Sequence, residues 1–331
     1  MTELQLSITM LPNARSVPVL DGRMKPEGIE LIATALHPSE IFWRQLKFAE
    51  FDVSEMSMSS LLILLANGNR DWVAFPVFTT RRFFHTGIWV RDDAKIRSPA
   101  DLKGKRVGVP EYQQTAALWT RGALQHEFGV LATDMEWWME RTEEVSHGGA
   151  TGFRAPPGVK LNRIPANDSM GAMLVEGRLD AALHYLSANN AVDRSRIRLE
   201  DRSDIHLLFA DPAEEGRRYH AKTGFFPINH AMVVRRSIAE QHPWVVLNLF
   251  NAFREAKDKW LAQVSDAVQT HAQLGLLPRE AAAALRKDPY PYGVVANRSI
   301  LETIARYSHE QGLTPRVLAL DEIFPRNTLD L

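Results

Sequence analysis

Polar and apolar residues alternate with a period of two through Leu4-Gln5-Leu6-Ser7-Ile8-Thr9-Met10, which predicts a strand with one face on a core. Asp52-Val53-Ser54-Glu55-Met56 predicts the end of a second strand. It feeds an apolar helix that starts near Ser57 to Ser60, where a serine can cap it, and stops at Gly68. The segment from Ser98 to Gly104 has a serine cap, a proline at the first helical position, an aspartate three residues after the cap and a glycine stop, so it predicts one short helix. A strand over Lys105 to Pro110, a loop over Glu111 to Thr115 and a helix to about Phe128-Gly129 follow. The same grammar returns as a helix over Met170 to Glu176, a stop at Gly177 and a strand over Leu179 to Leu183, with His184 at its carboxyl end. From His242, the residues Val246, Leu249, Phe250, Phe253, Trp260, Leu261 and Val264 recur at helical spacing over about six turns. A further helix is predicted from about Arg298 to Gln311. Alternating strands and helices predict an α/β fold with a largely parallel sheet, and 331 residues suit two domains. Between these units, Ser146 to Gly158 is rich in Gly and Pro and reads as a surface loop or a flap.

Composition narrows the chemistry. Lys plus Arg (39) balances Asp plus Glu (40), so no basic surplus exists to drive binding to nucleic acid. The chain has no cysteine, which removes disulfides, thiolate metal sites, Fe–S clusters and a thiol nucleophile. The longest apolar run, Leu61 to Ala66, is far shorter than the roughly 20 residues of a membrane span. The first ten residues carry no basic region and no continuous apolar stretch, so a cytoplasmic protein is expected. Dinucleotide and P-loop glycine motifs, the Gly-x-Ser-x-Gly elbow and His-Glu-x-x-His are all absent. No local pair among His85, His184 and His230 has metal-ligand spacing, so no metal is expected.

What remains are groups at the carboxyl ends of strands, where open α/β sheets bind ligands. Ser57 and Ser59 at one helix start, and Gln113, Gln114 and Thr115 at another, present free N–H groups suited to a carboxylate. Their bland role is capping. If Thr79 to Val90 is extended, Arg81, Phe83 and His85 share one face, offering a guanidinium, a ring and a titratable group. The plainer alternative is a surface ion pair for Arg81 and a core hydrogen bond for His85. His184 and His230, with Asn229 beside the latter, are further candidates, against the ordinary structural role of an isolated histidine. Trp119 and Tyr185 could stack on an aromatic ligand or simply pack in the core.

The run Ser98 to Val109, Gln113 to Thr115 and Gly177-Arg178-Leu179-Asp180-Ala181 resembles the second lobe of the type 2 periplasmic-binding-protein fold. Several further motifs, in order, resemble the 4,5-dihydroxyphthalate decarboxylase family. They are Pro76-Val77-Phe78 with Arg81 and His85; Pro110 to Gln113 with Thr115-Ala116; Thr223 to Ile228 with His230; Pro291-Tyr292-Gly293 with Asn297-Arg298; and His309 to Leu313. The resemblance spans nearly the whole chain. It implies two lobes, residues 1–88 with 228–331 and residues 89–227, around a ligand cleft. It also implies decarboxylation of a hydroxylated aromatic acid by ring-carbon protonation, without a cofactor. On that reading His85 donates the proton, His184 or His230 polarises the hydroxyl, and Arg81 anchors a carboxylate that stays. The partners expected are a small aromatic carboxylate and a possible second copy of the chain, with no nucleic acid and no membrane. A solute-binding protein for an organic anion is the alternative from another class.

Overall fold

The computed structural model of the protein describes residues 3–187 and 189–331. Its strands in chain order are β1 (Leu4–Met10), β2 (Ile29–Ala35), β3 (Val53–Ser57), β4 (Trp72–Arg81), β5 (Ile88–Arg91), β6 (Arg106–Val109), β7 (Glu136–Met139), β8 (Lys160–Arg163), β9 (Ala181–Leu183), β10 (Ile205–Leu207) and β11 (Ile228–Arg235). They form two sheets, ordered β2-β1-β3-β11-β4 and β10-β5-β9-β6-β7-β8. Pairing is parallel for β1 with β2 and β3, and for β6 with β7 and β9. It is antiparallel where the chain passes between sheets: β5, the first strand of the second sheet, against β9 and β10, and β11, the strand that returns, against β3 and β4. Each of these strands enters its sheet from the other lobe, so it runs against its neighbours.

The first predicted strand and the helix Met58–Ala66 are as the pattern requires, and Met58 through Leu65 are all buried, as a helix apolar on every side must be. The helix Trp244–Gln273 is longer than its apolar stripe and packs Val246, Leu249, Phe250 and Phe253 against Phe75, Val77 and Met232 of the first sheet. The helix Arg298–Glu310 lies on the helix Thr115–Phe128. Gly122 makes this close approach possible, since a Cβ there would stand 2.2 Å from the Tyr307 ring. Arg121 Nε donates to Gln311 Oε1 at 2.8 Å across the same contact. The C-terminal region therefore grips the second sheet's helix as well as the first sheet. Among the described residues no helix is long and apolar enough to cross a membrane.

Two expectations need correction. The segment 79–90 is not continuously extended: β4 ends at Arg81 opposite Ile228, where β11 begins, and without a partner strand the chain coils into the 3-10 turn Phe84–Gly87. Arg81 and His85 thus share no face. The stretch 146–158 is not a free flap either. It contains the short helix Gly148–Thr151, and Ser146, His147 and Gly148 are buried because Ser146 Oγ and the His147 N–H both donate to the Glu111 carboxylate.

Candidate functional site

Two helix starts meet between the sheets. Ser57 ends β3 and caps the helix Met58–Ala66; Gln114 precedes the helix Thr115–Phe128 without a side-chain capping bond. Ser57 Oγ and Thr115 Oγ1 are 2.8 Å apart, and the Ser59 N–H donates to Thr115 Oγ1 at 2.9 Å. Beside this bridge lies a cavity of about 160 Å³. A cavity of about 150 Å³ holds one benzene ring. Leu11, Phe42, Ala116 and Leu186 supply its apolar wall; Ser57, Thr80, Gln114 and Thr115 supply hydroxyl and amide groups. His37, Arg141, His147, His184, Asn229 and His230 complete it.

His230 carries the strongest coupling. It sits on β11 between Ser57 of β3 and Thr80 of β4. Its Nδ1–H donates to Glu55 Oε1 at 2.7 Å, and Asn229 Nδ2 donates to its Nε2 at 2.7 Å. Glu55 is wholly buried. Burial alone would raise its carboxyl, but the pairing with His230 and hydrogen bonds from Thr79 Oγ1 and the Leu11 N–H hold it below its ordinary value. With Nδ1–H committed to Glu55, Nε2 is the acceptor nitrogen of the ring, and the Asn229 amide donates to it.

The other histidines are kept neutral. Burial pushes His147 down to about 4 and His184 down to about 3, the latter helped by the nearby Arg82 charge. His37, which accepts from the Ser39 N–H at the start of the helix Pro38–Phe48, is also lowered by burial. His147 faces Ser60 Oγ through Nδ1 at 3.2 Å, while its Nε2 is buried without a partner. Arg141 is the guanidinium of the cavity wall. Its Nε donates to Asp193 Oδ1 at 2.8 Å and its Nη2 to Ser39 Oγ at 2.7 Å, whereas Nη1 stands 3.9 Å from Glu111 Oε1, beyond hydrogen-bond range. Ser39 Oγ donates in turn to Asp193 Oδ2 at 2.7 Å, so this cluster ties the two lobes together at the cavity edge.

Of the residues singled out from sequence, Ser57, Gln114, Thr115, His184, Asn229 and His230 line this cavity. Arg81 does not. Its guanidinium donates to Phe226 O at 3.1 Å, Pro291 O at 2.9 Å and Asn297 Oδ1 at 2.5 Å, clasping the start of β11 to the C-terminal region. It borders an open groove of about 650 Å³ walled by Phe83, Phe226, Pro291 and Val295, and burial lowers it to about 10. The Arg81 guanidinium is thus held by these three acceptors, and the lining of that larger groove also includes Lys287 and Arg298. His85 is packed against Tyr219 and Phe209 and pairs through Nε2 with Glu215 Oε1 at 3.0 Å. Trp119 is core, its Nε1–H donating to Ile228 O. Gln113 donates to Glu111, Ser59 is buried beneath the helix start, and Tyr185 donates to Ile197 O.

Sequence reasoning passed over Glu55, His37, Arg141 and His147. Glu55 carried a readable signal, a lone carboxylate inside an apolar strand; so did His37, placed just before a Pro-Ser helix start. Arg141 and His147 carried none, because distant chain segments bring them in. Among the described residues, no three His, Asp or Glu side chains are grouped as a metal would require.

Two α/β sheets joined by antiparallel crossing strands, with a ring-sized cavity between them, define a protein of the two-lobed periplasmic-binding-protein class. Consistent with this, the fold is similar to the periplasmic aliphatic sulphonate binding protein of Escherichia coli, with a TM-score of 0.55 and 14% identity over 98% of this chain and 99% of that one. No family model matches the chain. Two relatives are nearer in sequence. The 4,5-dihydroxyphthalate decarboxylase of Comamonas testosteroni is 34% identical over 333 residues, 100% of this chain and 99% of the relative. The 4,5-dihydroxyphthalate decarboxylase of Pseudomonas putida is 38% identical over 183 residues, 55% of this chain and 71% of the relative. The chain belongs to the 4,5-dihydroxyphthalate decarboxylase family.

Proposed function

We propose that this protein decarboxylates a single-ring hydroxylated aromatic acid of the 4,5-dihydroxyphthalate kind in the cavity between its lobes. Residues 1–88 with 228–331 form one lobe in this reading and residues 89–227 the other, a division supported by which strands share a sheet. The observation that carries the reading is the buried Glu55–His230 pair, which orients an imidazole at the wall of a ring-sized cavity.

In 4,5-dihydroxyphthalate each carboxylate is para to a hydroxyl. Removing the hydroxyl proton moves electron density to the para carbon, which then accepts a proton. The carbon–carbon bond breaks, its electron pair restores the aromatic ring and the phenolate, CO2 leaves, and the proton first taken from the hydroxyl returns to that oxygen. His230, oriented by Glu55, takes the hydroxyl proton, and His184 protonates the ring carbon. Such a pair of transfers contributes about 10²–10⁴-fold each. His85, too far into the Tyr219 core to meet the ring, is replaced as donor in this scheme. A tight grip on the departing carboxylate would stabilise the ground state, so Arg141 and the helix starts at Ser57 and Thr115 hold the carboxylate that remains. Arg141 thus takes the anchoring role first expected of Arg81.

The test is a thermal-shift screen of hydroxylated benzoates and phthalates followed by a CO2 assay of each stabiliser. The expected result is stabilisation by 4,5-dihydroxyphthalate with release of CO2 and 3,4-dihydroxybenzoate. Stabilisation without CO2 would mark a solute-binding protein instead.

A further inference from the structure

We propose that His184 is a two-sided proton relay, giving a proton to the ring carbon on its inner side and being recharged from a second, outer cavity on its other side. The proposal rests on the decarboxylase reading above.

His184 borders two cavities. One is the ring cavity; the other, of about 190 Å³, is lined also by Arg82, Gly87, Trp89, Tyr185 and Glu200. Arg82 and Glu200 are exposed, so the outer cavity reaches solvent. The backbone of His184 is left-handed, with a φ of 51°, a conformation a histidine keeps only where its surroundings hold it. Phe84 meets the imidazole edge-on, with ring centroids 5.7 Å apart, and His184 lines both spaces.

Chemistry demands a supply route. Each turnover converts a carboxylate and one proton into CO2 and a new C–H bond, so the site loses a proton that water must replace. The Ser57–Thr115 and Ser39–Asp193 contacts cross between the sheets beside the ring cavity. In the step proposed, the neutral imidazole of His184 takes a proton from water or a buffer acid in the outer cavity once the substrate's carboxylates stand in the ring cavity, and the imidazolium so formed transfers it to the ring carbon. The charges that bear on His184 are those of Arg82, Asp193, His230 and Arg141.

The test uses two substitutions in the full chain with 4,5-dihydroxyphthalate as substrate. His184→Gly suits the left-handed backbone and should lower kcat about 100-fold or more. Added imidazole, entering from the outer cavity, should restore at least tenfold of that loss. Gly87→Phe fills the outer cavity alone, since a Cβ at Gly87 meets nothing within 4 Å. It should lower the kcat of the otherwise native protein with KM unchanged, and it should abolish imidazole rescue of His184→Gly. If unsubstituted protein releases no CO2, the underlying reading fails. If that protein turns over but His184→Gly keeps full kcat, or rescue is indifferent to Gly87→Phe, the relay is overturned.

Discussion

Glu55 and His230 are diagonal neighbours on one face of the first sheet. Glu55 stands opposite Met232 and Ser57 opposite His230, and the Nδ1 to Oε1 distance is 2.7 Å. The carboxylate is wholly buried, and beside its bonds from Thr79 and the Leu11 N–H it fixes the orientation of one imidazole. Glu55→Gln keeps the shape and removes that charge. It should lower kcat about 100-fold while KM changes by less than about threefold, because His230 acts on a proton in flight rather than on ground-state binding. Steady-state kinetics on 4,5-dihydroxyphthalate provide the check, and an unchanged kcat would remove His230 from the mechanism.

The same pair sets an acid limit to stability. The folded Glu55 carboxyl is held below its unfolded value, so its contribution is complete above about pH 4.3 and disappears as pH falls through the lowered value. Urea midpoints of native protein and Glu55→Gln should therefore begin to converge as pH falls below about 4.3. Curves that stay parallel below that pH would mean that the carboxylate is not stabilised by folding.

Arg141 should separate binding from chemistry. A charge-assisted hydrogen bond contributes about 1.5–3 kcal/mol, which is about 10- to 150-fold in affinity. Arg141→Gln is expected to raise KM by that factor with a smaller change in kcat, and to lower the melting temperature because Asp193 loses its buried partner. Arg141→Lys should recover stability more than KM, since a lysine restores charge but not the planar fork. A raised KM together with an increased kcat would instead place Arg141 on the departing carboxylate, whose ground state it would stabilise.

The architecture was legible because it is written locally: the 2-residue alternation of β1, the serine caps and the glycine stops specify elements without reference to distant residues. The helix starts at Ser57 and Gln114 could be assigned to the site for the same reason. The error over Arg81 and His85 came from extending a strand beyond its partner. Where β11 begins at Ile228, β4 has nothing further to pair with, and no local signal in Arg82-Phe83-Phe84 announces that limit. Arg141 and His147 became visible only when Ser39, 102 residues from Arg141, and Glu111 were brought beside them.

The relocation of His85 and Arg81 is itself testable. His85→Gln should retain kcat within about threefold, because Glu215 keeps Arg218 as a partner and no cavity-facing group is lost. Arg81→Leu should leave KM within a similar margin but destabilise the fold by about 1–3 kcal/mol or more, as the buried Asn297 Oδ1 and two part-buried carbonyls lose their donor. Melting temperature and turnover, measured on the same preparations, decide the matter. A His85→Gln protein that folds normally yet releases no CO2 would return His85 to the chemistry.

Ligand binding should itself take up a proton. Burial holds His37, His147 and His184 below their ordinary values, so at neutral pH the empty cavity has Arg141 as its wall guanidinium, and that charge already faces Asp193. A phthalate brings two negative charges into this space. The carboxylates raise the affinity of a neighbouring imidazole for a proton, and the side chain beside the ring carbon, His184, is the one that chemistry requires in its charged form. Binding is then favoured by acid: with one proton taken up, Kd rises about tenfold per pH unit as pH increases through the neutral range. Calorimetric titrations of 4,5-dihydroxyphthalate in buffers of different ionisation enthalpy should give a slope approaching one proton at pH 7, measured in a slow-turnover variant such as Glu55→Gln. Adding His184→Asn should bring the slope toward zero. A zero slope with His184 present would mean that the ring-carbon proton does not arrive with the substrate.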